Sequence, residues 1–362
     1  MPYQKKGKIR KEPKRKQGWA NWGELNSEVL RIIYMKLYDV MSFIMFRAVC
    51  KNWRVAAADL SDCPRQFPCL IDWSGTSNLR VYSPASGRTH TFQVPDAECC
   101  GPSGPDMLFR TDFPDINSLF CLNPLTRVKT TFPFETSLHS FGSISGWHNS
   151  RNLDDFVLIN ELDFAVLYFK QADKQEWTKK QFWRLTNAAY HDGKYFLLKD
   201  NMQHEMVVID KTNGAELPSV PFPNHDPPLD SSLTFYVNYL IATTNGLLII
   251  TGFIPLYTGD LNDCRFEVHR LENYPQNPNW AKLTGIGDLM VFLDHSNCFA
   301  LKASDYDGFK GNCIYFITFP RLRKRVIGRF DIGLNKTEEL TGPKWFGRGG
   351  KGCNSAWFVP SI

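Results

Sequence analysis

The sequence predicts a small all-α module followed by an all-β propeller, on three observations. Apolar residues recur at helical spacing only within residues 25–59. From about Pro68 the chain becomes short runs of Leu, Val, Ile, Phe and Tyr, separated by Pro, Gly, Asn and Asp, as in strands and turns. Hairpin-like units then recur at intervals of tens of residues, which is typical of propellers and solenoids.

Residues 25–59 are predicted to form two helical stretches with a break around Tyr38–Met41. In the first stretch, apolar residues recur every four positions and on the adjoining row: Leu25, Val29, Ile33 and Leu37, then Leu30, Tyr34 and Met41. Asn26 or Ser27 can cap the start of this stretch. The spacing therefore predicts one apolar stripe along the helix.

The second stretch is predicted to begin with Ser42 as its cap. Its apolar face comprises Phe43, Phe46, Cys50, Trp53 and Ala57. A unit of about 40 residues covers too little of its own surface to bury both apolar faces. The stripe therefore either packs against the rest of the chain or is kept for a partner, and the sequence leaves both interpretations open.

The β-rich part contains two kinds of repeated unit. Four segments share the order strand, turn, polar strand: 81–95, 120–134, 207–223 and, more faintly, 329–340. Segments 188–200 and 239–251 place a tight glycine turn between two apolar strands. At four strands and about 40–50 residues per blade, six or seven four-stranded blades fit. We expect the last strand, in "SAWFVPSI", to pair in the same blade as the first, in "PCLIDWS".

Residues 231–259 contain no charged side chain over 29 positions and could suggest a membrane span. The "TTNG" interruption and Pro255 argue against a spanning helix. Asn245-Gly246 between two runs rich in β-branched and aromatic residues instead predicts a β-hairpin.

The formal net charge of +5 belongs to the N-terminal tail. Residues 1–16 hold eight Lys or Arg against Glu12, a charge of +7, so the remainder carries −2. We predict a disordered basic tail over 1–18, which is a nuclear-import signal, a polyanion contact or an inert solubilising arm. The folded part does not favour nucleic-acid binding, and the chain is expected in the nucleus or cytoplasm.

No motif marks an enzyme, metal or cofactor site. The ten cysteines include no C-x-x-C pair, so we predict reduced thiols and no metal. As a nucleophile, Cys50 would need a base, yet no histidine precedes His90, and a packing thiol is favoured. The glycine-rich segment 347–353 does not fit phosphate-loop spacing, and segment 285–290 lacks the last glycine of a dinucleotide-binding fingerprint, so both are predicted turns. A catalytic pair of carboxylates in the central channel of a propeller remains an alternative, because no motif identifies the residues that would form it.

Residues 25–59 resemble an F-box. The family's closing motif, Val-Cys-(Lys/Arg)-x-Trp-Arg, is matched in full by "VCKNWR" at 49–54. The chain departs from the pattern at Asn26, where proline is usual, and at Ser42, where aspartate is common. Both replacements can cap helices, but they leave open whether the adaptor is still bound.

The rest of the chain is similar to plant F-box proteins with a KIB-type, kelch-like β-propeller. The segments that carry the similarity are 287–317, "LNPLTR" at 122–127 and "WFVPS" at 357–361. The implied domains are a tail at 1–18, an F-box at 19–62 and a propeller at 66–362. The resemblance implies a non-catalytic substrate-recognition subunit of an SCF-type cullin ubiquitin ligase. A Skp-type adaptor would link it to cullin, and the propeller would bind an unknown protein target.

Two alternatives remain: a cullin-independent propeller binding protein with a degenerate F-box, and a propeller enzyme. By analogy with the family, eight residues are expected to divide between the module's own core and an adaptor-facing surface: Leu25, Val29, Leu30, Ile33, Leu37, Val49, Cys50 and Trp53. Trp53 and Leu30 are the predicted anchors, because large apolar groups dominate interfaces.

Overall fold

The computed structural model describes residues 21–57, 66–73, 78–103, 106–111, 118–135, 144–147, 156–160, 164–170, 176–183, 185–199, 205–223, 234–255, 261–294, 297–306, 309–318, 326–346 and 355–360. The chain has two compact units: a helical unit, Met1–Leu37 and Met41–Pro64, and a propeller unit, Tyr38–Val40 and Arg65–Ile362. The predicted basic tail at 1–18 and the glycine-rich segment 347–353 lie outside the described residues.

The N-terminal helices are α1 (Ser27–Tyr34), α2 (Val40–Ala48) and α3 (Lys51–Ala56), preceded by a 3-10 turn at Trp22–Glu24. Asn26 caps α1, since its side-chain oxygen accepts a hydrogen bond from the amide of Glu28 at 2.9 Å. Of the two predicted caps, Asn26 is therefore the one that acts, and it satisfies one amide at the start of the helix.

The prediction of a single second helical stretch is wrong in two respects. Because α2 begins at Val40, Ser42 lies inside the helix and is not its cap. The helix also ends at Ala48, and a separate helix, α3, follows. Cys50 stands before α3 with an extended backbone (φ −161°, ψ 177°). Hydrogen bonds from α3 to residues 22–25 account for the separate direction of this helix: Asn52 Nδ2 donates to the carbonyls of Gly23 and Leu25 at 3.0 and 3.1 Å.

The described strands of the propeller unit form six sheets. Sheet 1 contains β1 (Cys69–Asp72), β2 (Asn78–Ser83), β3 (Arg88–Gln93) and the last strand, β25 (Ser355–Phe358). Sheet 2 contains β4 (Glu98–Ser103), β5 (Asp106–Arg110), β6 (Ser118–Leu122) and β7 (Lys129–Glu135). Sheet 3 contains β8 (Ile144–Trp147), β9 (Phe156–Asn160), β10 (Phe164–Lys170) and β11 (Trp177–Trp183).

The remaining strands complete three further sheets. Sheet 4 contains β12 (Leu185–His191), β13 (Lys194–Lys199), β14 (Glu205–Asp210) and β15 (Glu216–Pro221). Sheet 5 contains β16 (Thr234–Thr243), β17 (Gly246–Pro255), β18 (Arg265–Glu272) and β19 (Asn279–Leu283). Sheet 6 contains β20 (Leu289–Leu293), β21 (Cys298–Lys302), β22 (Cys313–Ile317), β23 (Ile327–Asp331) and β24 (Lys336–Leu340).

Five sheets are four-stranded antiparallel blades, so the predicted six or seven such blades are not found among the described residues. Sheet 6 differs because it has five strands in the order β21-β20-β22-β23-β24, with β20 and β22 parallel. Backbone bonds explain this arrangement: Ala303 N donates to Asp288 O, and Asn312 N donates to Leu289 O, both at 2.8 Å. The chain thus returns to the start of β20 before β22 begins.

The ring closes as predicted, because β25 pairs antiparallel with β1 in sheet 1. Leu70 lies opposite Trp357 in this pairing. The amide of Trp357 also donates to the buried carboxylate of Asp294, which follows β20, at 2.7 Å. The closing strand is therefore bonded both within sheet 1 and to sheet 6.

The uncharged segment forms the predicted hairpin, of strands β16 and β17. Thr243 pairs with Gly246, so the two-residue loop is Thr244–Asn245, one position earlier than the expected Asn-Gly centre. Gly246 has φ +119°, a conformation that L side chains rarely adopt. Within the described part of the chain, no helix has the length and apolarity needed to cross a membrane.

The four repeated segments form the outer hairpins of sheets 1, 2, 4 and 6, and their turns share one geometry. The fifth turn residue has positive φ in each copy: Gly87, Arg127, Gly214 and Asn335. In the first three copies its amide donates to the carbonyl of the first turn residue, Ser83, Asn123 or Asp210, at 2.8–2.9 Å. The repeat detected in the sequence therefore corresponds to a turn with the same backbone conformation in each copy.

Candidate docking surface of the helical unit

The core of the helical unit is aromatic. Leu30 and Tyr34 of α1 and Phe43 and Phe46 of α2 are at most 4% exposed. The Tyr34 ring meets those of Phe43 and Phe46 edge-on, with both centroid distances at 6.0 Å. Edge-to-face pairs of this kind stabilise beyond the area that they bury. The buried stripe of α1 is therefore the Leu30–Tyr34 row.

Trp53 of α3 joins this core from one side. Its ring lies 4.6 Å from that of Phe46, and its indole Nε1 donates to the carbonyl of Trp22 at 2.8 Å. Half-buried Cys50 precedes the same helix. Trp53 consequently holds together α2, α3 and the segment before α1, in addition to any contact with a partner.

Among its described residues, the helical unit leaves seven large apolar side chains exposed, which we call the helical apolar set. They are Trp22 (61%), Val29 (43%), Ile32 (68%), Met35 (39%), Met45 (57%), Val49 (55%) and Val55 (62%). Three of them, Val29, Ile32 and Met35, follow one another at three-residue spacing along α1 and its C-cap. Residues at that spacing are neighbours on a helix surface.

The structure distributes the eight predicted docking residues over three environments. Val29 and Val49 are exposed, and Leu30 is fully buried. The others are intermediate: Leu25, Ile33, Leu37, Cys50 and Trp53. The Leu30 side chain packs in the interior, as part of the module's own core. The adaptor-binding role of the eight residues, with Trp53 and Leu30 as anchors, stays a prediction.

Sequence reasoning missed five members of the helical apolar set. Trp22, Ile32, Met35, Met45 and Val55 fall outside the stripes recognised from the spacing. A periodic stripe identifies the face that a helix buries. The members of the helical apolar set could have been recognised as apolar residues that lie outside the periodic stripe.

The described residues contain no group of three His, Cys, Asp or Glu side chains that could hold a metal ion. Burial raises the pKa of the Cys298 thiol to about 12, so this cysteine is not an activated nucleophile. Its sulfur donates to the carbonyl of Leu240 at 3.3 Å and contacts the Asn187 amide group. Cys298 thereby connects strands of sheets 4, 5 and 6.

Fold and sequence together define a β-propeller protein with a small helical N-terminal part. The sequence model of the KIB1-4 beta-propeller family matches residues 81–338, and the chain belongs to that family.

Two relatives from Arabidopsis thaliana carry F-box protein in their names. At2g26160 is 24% identical over 344 residues, which cover 84% of this chain and 97% of the relative. At4g17565 is 22% identical over 379 residues, which cover 94% and 95%. Among solved structures, TolB from Acinetobacter baumannii is 11% identical with a TM-score of 0.47, covering 87% of this chain and 72% of TolB.

Proposed function

We propose that this protein is the target-recognition F-box subunit of an SCF-type cullin ubiquitin ligase. The helical unit docks a Skp-type adaptor and, through it, cullin. The kelch-like propeller binds a target protein, and ubiquitin transfer takes place on other subunits. The relatives' F-box names, the membership of the KIB1-4 family and the "VCKNWR" motif at 49–54 support this proposal.

The observation that carries the proposal is the helical apolar set. Seven large apolar side chains are exposed within residues 22–55, whereas the far longer propeller unit exposes five among its described residues. Exposed apolar residues concentrated in one small region mark interaction sites, because water disfavours them until a partner covers them. A helical adaptor-binding module requires such a surface.

The capping geometry favours an intact module over a degenerate one. Asn26 stands where the F-box pattern has proline, and its side chain accepts the Glu28 amide hydrogen bond at the start of α1. The substitution therefore preserves the helix start by a different mechanism, since an asparagine cap satisfies an amide that would otherwise lack a partner. An intact helix start supports adaptor docking over the alternative of a cullin-independent binding protein.

The test is the affinity of the full chain for a Skp-type adaptor, measured by calorimetry for wild type and Ile32→Glu. Ile32 is 68% exposed, so the variant should fold, and a buried glutamate in the interface should weaken binding by about 2 kcal/mol, roughly thirtyfold. Val128→Glu is the matched control, because Val128 is 62% exposed in the propeller unit. Equal binding by both variants would contradict the surface assignment, and no binding by wild type would contradict the proposal itself.

We further propose that the protein acts in the nucleus or cytoplasm, with the basic tail at 1–18 as a nuclear-import signal. Its eight Lys or Arg against one acid resemble the short basic stretches that import receptors bind. Imaging a fluorescent fusion with and without residues 1–18 tests this. An unchanged distribution would show that the tail has another role.

A further inference from the structure

Sheet 3 differs from the other sheets in charge. Its strands contain three lysines, Lys170 in β10 and Lys179 and Lys180 in β11, and no acid. The strands of each other sheet include at least one acid, and their net charges lie between −1 and +1. Glu176, just before β11, is exposed, and no ion pair joins these lysines to an acid in the described part of the chain. Sheet 3 is therefore the most positive sheet.

The lysines of β10 and β11 lie beside aromatic rings. Lys170 Nζ is 5.3 Å from the centroid of Trp177, and Lys179 Nζ is 5.9 Å from that of Tyr168. These cation–π contacts hold the lysine side chains along the sheet. None of the described carboxylates forms an ion pair with them. An acidic partner would supply a countercharge for these lysines.

The second observation is that β11 is an unusually regular sheet edge. It is the outer strand of sheet 3, and no described strand pairs with its outer side. All seven residues pair with β10 in one continuous register, from Phe164 opposite Trp183 to Lys170 opposite Trp177. None of the seven is proline. Such an edge presents a row of backbone donors and acceptors to a further strand.

The other outer strands are protected in ways that β11 is not. Strands β7 and β15 contain prolines (Pro133, and Pro218 and Pro221) and shift register against their neighbours. Strands β19 and β24 have only five residues. In β3, the carbonyl of Gln93 accepts a hydrogen bond from Arg127 at 2.6 Å. Bulges, prolines and short length hinder any added strand, whereas the lysines of β11 disfavour a basic strand and favour an acidic one.

Exposed aromatic rings lie at one end of this edge. Trp183 is 59% exposed and Phe164 is 39% exposed, and their rings meet edge-on at 5.2 Å. Because side chains alternate along a strand, Lys179, Gln181 and Trp183 lie on the same face of β11, and all three are exposed. One face of the edge thus offers a cation and an aromatic anchor four residues apart.

We propose that the outer edge of β11 binds an extended acidic segment of a partner protein by strand addition. Backbone hydrogen bonds to β11 align the segment, carboxylates lie near Lys179 and Lys180, and an apolar side chain packs on Trp183 and Phe164. Binding of this kind takes affinity from the main chain and specificity from alternate side chains. The inference deepens the proposed function, because it places target recognition on sheet 3.

A polypeptide fits this surface better than a nucleic acid does. Three lysines can neutralise only a few phosphates, whereas proteins that bind duplex DNA commonly make about 6–10 phosphate contacts. The open edge of a strand is also complementary to another backbone at the spacing of one strand, about 4.8 Å. We therefore assign an acidic peptide as the ligand of the β11 edge. Binding of a nucleic acid is one of the results that the test can give.

The test measures binding of a fluorescein-labelled ten-residue peptide, in which eight glutamates precede a valine and a final tyrosine, to the full chain by fluorescence anisotropy. The Lys179→Glu/Lys180→Glu variant should weaken binding about tenfold. The matched control is Lys302→Glu/Lys336→Glu, which reverses two exposed lysines of sheet 6 and should change affinity less than about twofold. Thermal unfolding checks that both variants fold.

Two further probes separate the backbone and charge contributions. A peptide N-methylated at alternate residues should lose binding if strand addition aligns it, and a glutamine-for-glutamate peptide should bind more weakly. Undetected binding of the acidic peptide, equal binding by the two double variants, full binding of the N-methylated peptide, or tighter binding of a ten-nucleotide single strand would each overturn the inference. Adaptor binding by Lys179→Glu/Lys180→Glu is measured in parallel and should be unchanged, so failure here is distinct from failure of the proposed function.

Discussion

The helical unit and the propeller unit handle apolar side chains differently. Within residues 22–55 only a few residues form the interior, and the seven members of the helical apolar set stay exposed. The propeller unit buries rows of consecutive strand residues, such as the fully buried stretches of β5 and β22. A small helical unit cannot cover its own surface, whereas a closed ring of sheets can. The difference is consistent with the proposed role of the helical unit as a module that docks a partner.

The largest effect is expected in the propeller core. Phe292 is fully buried, and the rings of Phe299, Tyr315 and Trp357 lie within 5.1 Å of its centroid. Phe292→Ala should lower the free energy of unfolding by about 3–5 kcal/mol, because it leaves a cavity among rings that cannot collapse. Chemical denaturation followed by circular dichroism measures the change.

Val128→Ala is the control for this prediction, because Val128 is 62% exposed. Its effect on the free energy of unfolding should stay within about 0.5 kcal/mol. If Phe292→Ala and Val128→Ala had the same free energy of unfolding, the propeller core would not have the stabilising role that we assign to it in contrast to the helical unit.

The next effect sharpens the comparison within the helical unit. Leu30→Ala removes a fully buried side chain and should cost about 2–4 kcal/mol of local stability. Hydrogen exchange should then accelerate in peptides from residues 21–57 and stay unchanged in the sheets. Ile32→Ala, two positions away and 68% exposed, should leave exchange unaltered while weakening adaptor binding. Equal acceleration in both variants would show that burial does not separate core from surface here.

A smaller effect is expected at the start of α1. Asn26→Ala removes the side-chain acceptor of the Glu28 amide and should cost about 1 kcal/mol. Asn26→Asp is the control, because aspartate caps equally well. Exchange of the first amides of α1, measured by mass spectrometry, should rise for alanine alone. A rise in both variants, or in neither, would mean that another group stabilises this helix start.

Sequence patterns predicted the parts of the fold that depend on local chemistry. The hairpin of β16 and β17, the recurrent turns and the pairing of β25 with β1 follow from turn residues and strand-like runs that a reader can identify. The five strands of sheet 6 could not be predicted, because β20, β21 and β22 are all rich in apolar residues and the pairing order depends on hydrogen bonds between residues far apart in the sequence.

The candidate site was predicted less well, for a related reason. Helical spacing identified the face of α1 that is buried in the unit's own core, and this face contains Leu30. Spacing does not identify the side chains that stay exposed and are accessible to a partner. Ile32 and Met35 are exposed and lie outside the stripes recognised from the spacing. The break at Cys50 also depends on side-chain bonds from Asn52 and Trp53 to residues 22–25, which no local pattern shows.

The smallest effect concerns acid stability of the propeller turns. A hydrogen bond from Lys310, together with the Leu334 amide, holds the pKa of Asp331 below its ordinary value. A carboxyl with a depressed folded pKa contributes stability above its unfolded pKa, about 3.9, and loses it as pH falls toward the folded value. Asp331→Asn removes this titration but keeps the turn acceptor, since Asn123 occupies the equivalent position in sheet 2.

The fall in Tm between about pH 5 and pH 2 should therefore be shallower for Asp331→Asn by about 1–2 °C. The control is Asp192→Asn, because the Asp192 side chain is 88% exposed in the turn between β12 and β13. The helical unit provides the internal comparison, since its exchange should follow the same pH course in wild type and Asp331→Asn. A change in the helical unit, or an unchanged acid slope, would contradict the assignment of this titration to the propeller turn.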